Sequence, residues 1–429
     1  MNSSIKLLIS AGYVLAIALF WAVLTFEHWL FVGDFRFLKG IGSLAGVIGY
    51  TLFSLSLFLS SRWDRLENWL GGLDQIYHLH RKVGIWGFCF IVAHPLILSL
   101  KKFPPHLIHD LLPFHKRLSM NLGSISFWLM ILLLGITLLK LLPYHRWKVS
   151  HKGMSLVFLL ASFHFLLSHH LIAPSSGSKI LLSLPFGIGL LSIFYKQFLF
   201  YFKKTYKYTV TKTKILNHNT IEIFIEPNGH PISFISGQYA FFSFQGSHVT
   251  SESHPFTLCG EENGSKNSIL VKNRGDFTQS LFSNVKAGNI VDIEGPHGRF
   301  DFKSGGNSQI WIGGGIGIVP FLCWSRLLET QSHQKEIYLF YCVHEKKDLI
   351  DPEHFTNLSK KLKHFHFIPI YTGKEGHLKA NHVEKIAGSL YKHTILMCGP
   401  KAMTRELRNQ LIDLGVRKNK IIFEDFEFF

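Results

Sequence analysis

Four histidines, His80, His94, His151 and His164, lie in or beside the long apolar runs of the first half of the chain. Histidine within a membrane-spanning segment is uncommon. It usually faces the interior of a helix bundle, where it binds a cofactor, a proton or a partner. A neutral imidazole nitrogen is also a common metal ligand. These four residues are therefore candidate metal ligands.

Their spacing predicts two metal sites at different depths. His80 and His94 are 14 residues apart, and His151 and His164 are 13 residues apart. At ~1.5 Å per helical residue, the two histidines of each helix are separated by roughly 20 Å along the helix axis. If both helices run in the same direction, His80 faces His151 and His94 faces His164. The pattern favours two bis-histidine b-type haems, one near each membrane face.

The angular spacing predicts one regular helix and one distorted helix. At ~100° per residue, His80 and His94 lie about 40° apart on one face, whereas His151 and His164 lie about 140° apart. A π-bulge or a locally wound segment near Gly153 would bring His151 and His164 to the same side of their helix. The alternative is that some of the 25 histidines match the spacing by chance. Chance explains one histidine better than it explains two matched pairs.

Six apolar segments predict a helical membrane bundle. Five are uncharged runs near the ~20 residues that span a bilayer. The sixth, Ile180–Tyr195, reaches that length if Lys196 and the following residues continue the helix at the interface. No small-residue cleavage site follows the first run, so we expect that helix to remain in the mature protein. The five runs are Leu7–Phe26, Gly40–Ser61, Val83–Leu100, Leu118–Leu139 and Gly153–Ser178.

Positive charge is concentrated in the membrane half. Lys and Arg outnumber Asp and Glu by 19 to 6 up to Lys204 and by 26 to 22 afterwards, within a net charge of +17. This distribution argues against nucleic acid as a partner and favours the lipid bilayer. The predicted inside loops carry more Lys and Arg than the outside loops. We therefore expect an integral, multi-pass protein of the cell (inner) membrane with its soluble half in the cytoplasm.

The composition changes near Lys203 and again near Phe302. Short alternating strands with Gly and Pro turns predict an antiparallel β-barrel after the first boundary. From Gln309, strands alternate with helices such as Val319–Glu329, which predicts a parallel, doubly wound α/β sheet. The expected domains are a six-helix transmembrane domain at 1–203, a β-barrel domain at 204–303 and an α/β domain at 304–429. Five scattered cysteines predict neither a disulfide framework nor an iron–sulfur site.

Two stretches of the soluble half suit a flavin dinucleotide. His254-Pro-Phe-Thr257 offers the Thr257 hydroxyl at a turn, where it could bond the reactive edge of a flavin ring. Val271-Lys-Asn-Arg-Gly-Asp-Phe-Thr278 supplies the Lys272 charge for a phosphate. The backbone amides around Gly275, together with Thr278, suit a pyrophosphate.

A glycine turn follows the first strand of the α/β domain. Trp311-Ile-Gly-Gly-Gly-Ile-Gly-Ile-Val-Pro320 places backbone N–H groups and a helix N-terminus where they can meet a nucleotide pyrophosphate. The spacing departs from GxGxxG, and such a turn is often purely structural. A second turn, at Cys398, Gly399 and Pro400, ends a later strand and favours the nucleotide interpretation. The glycines concerned are Gly313, Gly314, Gly315 and Gly317.

Five motifs of the soluble half resemble those of the ferredoxin–NADP reductase superfamily. They are His254–Thr257, Gly295–Phe300, Gly313–Pro320, Cys398–Pro400 and Glu424–Phe426. Joined to six apolar segments and two histidine pairs, the whole chain resembles the NADPH oxidase and ferric reductase family in its bacterial single-chain form.

The resemblance implies roles for individual residues. Cys398 would lie near the nicotinamide, Glu424 would be the acidic catalytic residue, and Phe426 would stack on the flavin, with Phe428 or Phe429 as alternatives. His254, Pro255, Phe256 and Thr257 would hold the isoalloxazine of FAD, Lys272 and Thr278 its phosphates, and Gly313 to Gly317 the nicotinamide nucleotide.

One departure concerns the choice between NADPH and NADH. Where the family often carries an arginine for the 2′-phosphate of NADPH, this chain has Val343-His344-Glu345. Positive charge could come instead from His344, Lys346, Lys374 and His377. The nucleotide preference therefore stays open.

The expected function is electron transfer from cytosolic NAD(P)H, through FAD and two haems, to an acceptor across the membrane. FAD is needed because a nicotinamide delivers two electrons together and each haem iron accepts one. Dioxygen giving superoxide is favoured, because no long extracytosolic metal-binding insertion is present. A ferric or cupric chelate is the alternative, favoured by an open pocket lined by His106, His109, His169 or His170. A non-catalytic transporter or nucleotide-sensing scaffold is a distant alternative, and no obligatory protein partner is evident.

Overall fold

The computed structural model describes residues 3–29, 33–70, 72–100, 108, 111–168, 176–199, 205–246, 252–303, 305–330 and 335–424. The chain divides into two compact units, Met1–Lys203 and Lys204–Phe429. Several residues of interest lie outside the described ranges: His106, His109, His169, His170, Phe426, Phe428 and Phe429.

The first unit is built from long apolar helices. Five described helical stretches are long and apolar enough to cross a bilayer: Phe37–Leu59, Gln75–Ser99, Leu118–Leu138, Arg146–Leu167 and Ser176–Gln197. A shorter apolar stretch, Ala11–Val23, lies within the first helix. The prediction of a helical membrane region is confirmed. The helices are α1 (Ser3–Trp29), α2 (Gly33–Leu59), α3 (Asp64–Leu70), α4 (Leu73–Ser99), α5 (Leu118–Leu138), α6 (Tyr144–Lys152), α7 (Met154–Leu167) and α8 (Ser176–Gln197).

Glycines allow α2 and α4 to pack closely. A Cβ added at Gly49 would lie 2.7 Å from the Ile91 side chain, and one at Gly87 would lie 3.2 Å from Leu52. Deeper in the bundle, Tyr50 of α2 stacks on Phe158 of α7 with ring centroids 5.1 Å apart. These contacts hold α2 between the two helices that carry the histidine pairs.

The fifth span differs from its predicted bounds. The apolar run Gly153–Ser178 predicts one helix, but the helix that carries His151 begins at Tyr144, and α8 begins at Ser176. The helical course breaks at Gly153, whose N–H donates to the Ser150 carbonyl three residues back, at 2.9 Å. The locally wound segment expected near Gly153 is therefore present.

The second unit begins with a seven-stranded sheet in the order β4-β3-β7-β1-β2-β6-β5, in which every pairing is antiparallel. The predicted antiparallel sheet is confirmed, and its closure into a barrel stays a prediction. Apolar side chains on its inner face, such as Ile223 and Phe242, are fully buried. Its strands are β1 (Tyr206–Asn217), β2 (Thr220–Pro227), β3 (Tyr239–Gln245), β4 (His254–Thr257), β5 (Cys259–Gly260), β6 (Asn267–Lys272) and β7 (Ile290–His297), with the helix α9 (Asp276–Asn284) after β6.

A five-stranded parallel sheet follows, in the order β10-β9-β8-β11-β12. This order is typical of doubly wound nucleotide-binding folds, and it confirms the predicted parallel sheet. The strands are β8 (Ser308–Gly314), β9 (Glu336–Val343), β10 (Phe365–Tyr371), β11 (Thr394–Cys398) and β12 (Ile421–Glu424). The helices are α10 (Val319–Thr330), α11 (Pro352–Lys361), α12 (Thr372–Glu375), α13 (Ala380–Ala387) and α14 (Lys401–Asp413).

A disulfide and an ion pair join the antiparallel sheet to helix α10, which belongs to the parallel-sheet part of this unit. Cys259 of β5 is bonded to Cys323 of α10, so the expectation of no disulfide is wrong for this pair. The two residues are 64 positions apart, and only the packing of β5 on α10 brings them together. Next to them, Arg326 Nη1 lies 2.6 Å from the buried Glu222 carboxylate. Burial opposes the Arg326 charge, but Glu222 and Asp351 together outweigh burial and raise the pKa of the guanidinium.

Candidate functional site

Three of the four membrane histidines donate a hydrogen bond from Nδ1 to a backbone carbonyl of another helix. The pairs are His80 with Ser56 (2.9 Å), His94 with Gly42 (2.7 Å) and His164 with Ser119 (2.6 Å). A carbonyl oxygen can only accept, so the Nδ1 atom carries the proton in each ring. Each Nε2 therefore keeps a free lone pair, which is the state that binds a metal.

His151 reaches the same state through side chains. Its Nδ1 lies 3.4 Å from the Thr137 hydroxyl, which donates its own proton to the Leu133 carbonyl at 2.8 Å. The Thr137 oxygen also accepts from Trp147 Nε1 at 3.0 Å, and the indole stacks on the imidazole with centroids 5.3 Å apart. Because the hydroxyl proton is already used, Thr137 can only accept from His151.

The predicted partners face each other. The ring centroids of His80 and His151 are 6.4 Å apart with planes at 82°, and those of His94 and His164 are 6.5 Å apart with planes at 70°. Two metal–nitrogen bonds of about 2 Å, plus half of each ring, give a separation of about 6 Å. Each pair is therefore spaced to ligate one iron from opposite sides, as a bis-histidine haem requires.

Glycines make room for the outer imidazoles. A Cβ added at Gly46 would lie 2.8 Å from His94 Nδ1, and one at Gly123 would lie 2.7 Å from His164 Nδ1. Each glycine lies four residues after the residue whose carbonyl holds the same histidine, which is Gly42 or Ser119 in turn. A glycine one helical turn after the residue whose carbonyl accepts the histidine proton is therefore the feature by which the sequence could have indicated these contacts.

A cavity lies between His94 and His164. Its wall consists mostly of apolar side chains, among them Tyr50, Phe53, Met130, Val157 and Phe165. Lys39 is the one lining side chain of fixed charge within the described part of the chain, and no carboxylate lines this wall there. An apolar cavity with two opposed imidazoles fits a porphyrin.

In the second unit, the predicted flavin motif forms β4. His254 is paired with Phe242, and Thr257 with Tyr239, on the neighbouring strand β3. The His254 ring stacks on Phe277 with centroids 3.8 Å apart. Pairing with β3 thus fixes both ends of β4, and the half-buried Pro255 and Phe256 lie between them.

The predicted phosphate loop precedes α9. The Thr278 hydroxyl accepts from the N–H groups of Arg274 and Gly275, both at 2.9 Å, and donates to the Gly275 carbonyl at 3.1 Å. Its proton is thus used inside the loop, so Thr278 shapes the turn. Lys272, at the end of β6, lies near the glycine turn, because a Cβ added at Gly315 would be 4.0 Å from its Nζ.

The two predicted nucleotide turns pack directly against each other. Gly313 is paired with Cys398 in the parallel sheet. A Cβ added at Gly317 would overlap the Cys398 carbonyl and approach the Gly399 Cα to 2.7 Å, and one at Gly314 would lie 2.9 Å from Pro400 Cδ. Gly315 has φ +54°, a left-handed conformation that favours glycine. Close backbone approach therefore requires these glycines.

Glu424 ends β12, directly opposite Cys398. Its carboxylate is buried, and a Cβ added at Gly298 would lie 2.8 Å from Glu424 Oε1 and 3.1 Å from the Tyr239 ring. The predicted catalytic carboxylate thus lies where the parallel sheet meets the antiparallel sheet of the same unit. The predicted stacking residue Phe426 lies outside the described residues.

The residues that follow β9 are exposed. His344 accepts a backbone hydrogen bond from Gly373 at 3.1 Å, which brings Lys374 of α12 to the same edge. The Glu345 carboxylate pairs with Lys347 at 2.8 Å. Burial, followed by the charge of Glu375, raises the pKa of the Cys342 thiol to about 12, so this neighbouring cysteine stays protonated.

Comparison with known families matches three consecutive parts of the chain. A ferric reductase like transmembrane component matches residues 45–162, an FAD-binding domain matches 205–312, and an oxidoreductase NAD-binding domain matches 311–409. These matches confirm the resemblance drawn from the motifs. They support NAD(P)H-driven, flavin-based electron transfer in a chain with a ferric reductase-like membrane domain.

Curated relatives match about half of this chain. The xylene/toluene monooxygenase electron transfer component of Pseudomonas putida is 23% identical over 50% of this chain and 63% of its own length. The anthranilate 1,2-dioxygenase electron transfer component of Acinetobacter baylyi is 23% identical over 51% of this chain and 66% of its own length. The chain thus spans less than two thirds of both relatives.

Solved structures show similar coverage or more. The flavohemoglobin of Malassezia yamatoensis with bound FAD and heme has 15% identity and a TM-score of 0.48, over 91% of this chain and 96% of that protein. The cytochrome P450 reductase of Amycolatopsis has 21% identity and a TM-score of 0.47, over 52% of this chain and 70% of that protein.

Proposed function

We propose that this chain is a transmembrane NAD(P)H-dependent reductase, because it joins a ferric reductase-like transmembrane component to FAD- and NAD-binding domains in the single-chain architecture of NADPH oxidase and ferric reductase-like proteins. Electrons would enter from a cytoplasmic nicotinamide and leave to a small-molecule acceptor on the far side of the cell membrane. The proposed domains are 1–203, 204–303 and 304–429.

The observation that carries the proposal is the geometry of the two histidine pairs. Both pairs have the separation of two axial ligands, and all four Nδ1 atoms are committed to oxygens of the bundle. His80 and His151 would hold the inner b-type haem, and His94 and His164 the outer one. When bound, FAD converts a hydride into single electrons, and the haems carry them one at a time.

In the soluble half, each predicted residue has a proposed task. His254, Pro255, Phe256 and Thr257 would hold the flavin ring, and Lys272 with the N-terminus of α9, which follows Gly275, would bind the FAD phosphates. Thr278 would keep the loop before α9 in shape. Gly313, Gly314, Gly315 and Gly317 would approach the nicotinamide nucleotide against Cys398, Gly399 and Pro400, with Glu424 beside the flavin and Phe426 stacked on it.

We propose dioxygen as the acceptor, with superoxide as the product. The described wall of the outer cavity is apolar, carries no carboxylate and has a single cation, Lys39. With a porphyrin in this cavity, the same apolar wall would surround the edge of the ring, which a neutral molecule such as dioxygen reaches readily, whereas a ferric ion prefers oxygen ligands. A ferric or cupric chelate remains the second candidate.

The test uses the full chain in detergent with added FAD. Anaerobic NADH or NADPH should reduce two haems, seen in the Soret and α bands. Admission of air should then give superoxide that superoxide dismutase removes. Reduced haems that are reoxidised by ferric citrate but not by dioxygen would establish the chelate reductase instead. A purified protein without haem absorption would refute the proposal.

A further inference from the structure

Lys196 places a positive charge beside the inner histidine pair. It lies in the last turn of α8, and its Nζ donates to the Ser60 hydroxyl at 3.2 Å. Ser60 lies one helical turn beyond Ser56, whose carbonyl holds His80. The ammonium group also interacts electrostatically with both His80 and His151.

The surroundings of Lys196 are cationic. Its other electrostatic neighbours are Arg62, Lys148 and Lys152. In the part of the chain that the structure describes, Lys196 makes its hydrogen bond to Ser60 and no ion pair. A half-buried ammonium in a membrane bundle costs free energy unless an opposite charge accompanies it. Among the described residues, the Lys196 charge beside the inner pair therefore has no carboxylate partner and suits an anion from outside the chain.

We propose that Lys196 binds a carboxylate of the porphyrin held between His80 and His151. This inference rests on the haem assignment of the proposed function. A b-type haem has two propionate carboxylates on one edge of its ring, and a lysine forms a charge-assisted hydrogen bond with such a group. The Ser60 hydroxyl fixes the ammonium one helical turn from Ser56, whose carbonyl holds His80. Lys196 is thus a positioning residue that sets the rotation of the ring about its axial ligands.

A phospholipid headgroup is the other source of an anion near the end of a membrane helix. The two sources differ in where the negative charge resides. A propionate can be removed by esterifying the porphyrin, whereas a lipid phosphate is unaffected by that change. Porphyrin chemistry therefore separates the two occupants.

The experiment uses full-length protein with His164→Ala, which leaves the inner pair as the single bis-histidine site. Apoprotein is titrated with haemin and with haemin dimethyl ester, and the midpoint potential is measured for each. Lys196→Met should weaken haemin binding about tenfold, since one charge-assisted hydrogen bond is lost, and should lower the midpoint potential. The ester should bind Lys196→Met and the parent protein equally.

Two variants serve as controls. Lys196→Arg keeps the charge and should retain haemin affinity close to that of the parent. Lys179→Met removes an exposed lysine from the opposite end of α8 and should change neither ligand. Together they separate the proposed contact from net charge and from damage to the helix.

Three results would count against the inference. Equal weakening of haemin and its ester by Lys196→Met would show that no carboxylate is involved. An effect that appears only with anionic phospholipid would assign the site to lipid. Unchanged haemin binding and potential would exclude the contact. Failure of the parent protein to bind any haemin would instead overturn the haem assignment itself.

Discussion

The membrane unit and the soluble unit build their sites in opposite ways. In the membrane unit, four imidazoles would supply the binding atoms of the proposed haem sites, and oxygens of neighbouring helices fix each ring. In the soluble unit, backbone turns would supply the surface of the proposed nucleotide site, and Gly314 and Gly317 leave free the space that a side chain would occupy.

The difference decides which changes each site tolerates. A site made by side chains is lost when those side chains are removed. A site made by close backbone approach is lost when an atom is added. The predictions below remove or add atoms in each unit.

The largest effect is expected from His94→Ala in the membrane unit. With one axial ligand gone, the outer haem should be lost, so that the haem content falls from two per chain to one in a pyridine haemochrome assay. His78→Ala is the matched control, because His78 is an exposed residue of the same helix. Two haems per chain in the His94→Ala variant would contradict the assignment.

The next effect is expected from Gly317→Ala in the soluble unit. The added Cβ would overlap the Cys398 carbonyl, so the two nucleotide turns must separate. A displacement near 1 Å can cost about 100-fold in rate, and we expect a loss of that order in flavin reduction by NAD(P)H. Gly306→Ala is the control, since Gly306 is exposed and a Cβ there meets only the Thr394 hydroxyl, at an ordinary contact distance of 3.8 Å. Similar rates for both variants would show that backbone approach is unimportant.

A smaller effect is expected at Gly46 in the membrane unit, where the lack of a side chain leaves room for the His94 ring. Gly46→Ala places a Cβ 2.8 Å from His94 Nδ1, and such overpacking costs about 1–3 kcal/mol. We expect weaker retention of the outer haem and a lower thermal midpoint. At Gly135 a Cβ meets nothing within 4 Å, and alanine there should stabilise the helix by up to about 1 kcal/mol. If both variants lose haem equally, the support of His94 is misassigned.

The smallest effect concerns pH and His393 of the soluble unit. Burial lowers the pKa of this histidine below its usual 6.5, partly opposed by its hydrogen bond to the Ala387 carbonyl. As the pH falls, the unfolded chain therefore binds a proton at His393 at a higher pH than the folded chain does. The contribution of neutral His393 to the free energy of unfolding is complete above pH 6.5 and declines below it. His393→Gln should flatten the decline between pH 7.5 and 5.5 in flavin-fluorescence melts. An unchanged pH profile would exclude a role for His393.

The sequence predicts the binding groups better than it predicts their supports. The four histidines follow from residue type and helical spacing. The angle of about 140° between His151 and His164 on a regular helix also predicts the break near Gly153. The supports escape prediction because Thr137 and Ser56 lie on other helices and carry no signal of their own. The start of the fifth span at Tyr144 is also missed, since Arg146, Lys148 and Lys152 interrupt the apolar run. Long cationic side chains can reach the interface from such positions.

The soluble unit shows the reverse limit. Its glycine turns are visible as motifs, but the sequence does not show that Gly317 needs its space because of Cys398. The Cys259–Cys323 bond is likewise invisible, because it depends on the packing of a two-residue strand on a helix. Contacts of this kind come from tertiary structure, which local patterns do not encode.

The two facing histidine pairs lie between the same two helical segments, α4 and α6–α7, at two depths roughly 20 Å apart, and a metal in each would link the segments there. A single link would leave each helix able to slide and turn about it. Two links at different depths would prevent both the sliding and the turning of one helix against the other. If the proposed haems fill both sites, they would therefore fix the register of the bundle, and we expect cofactor insertion to be a step in the assembly of this protein.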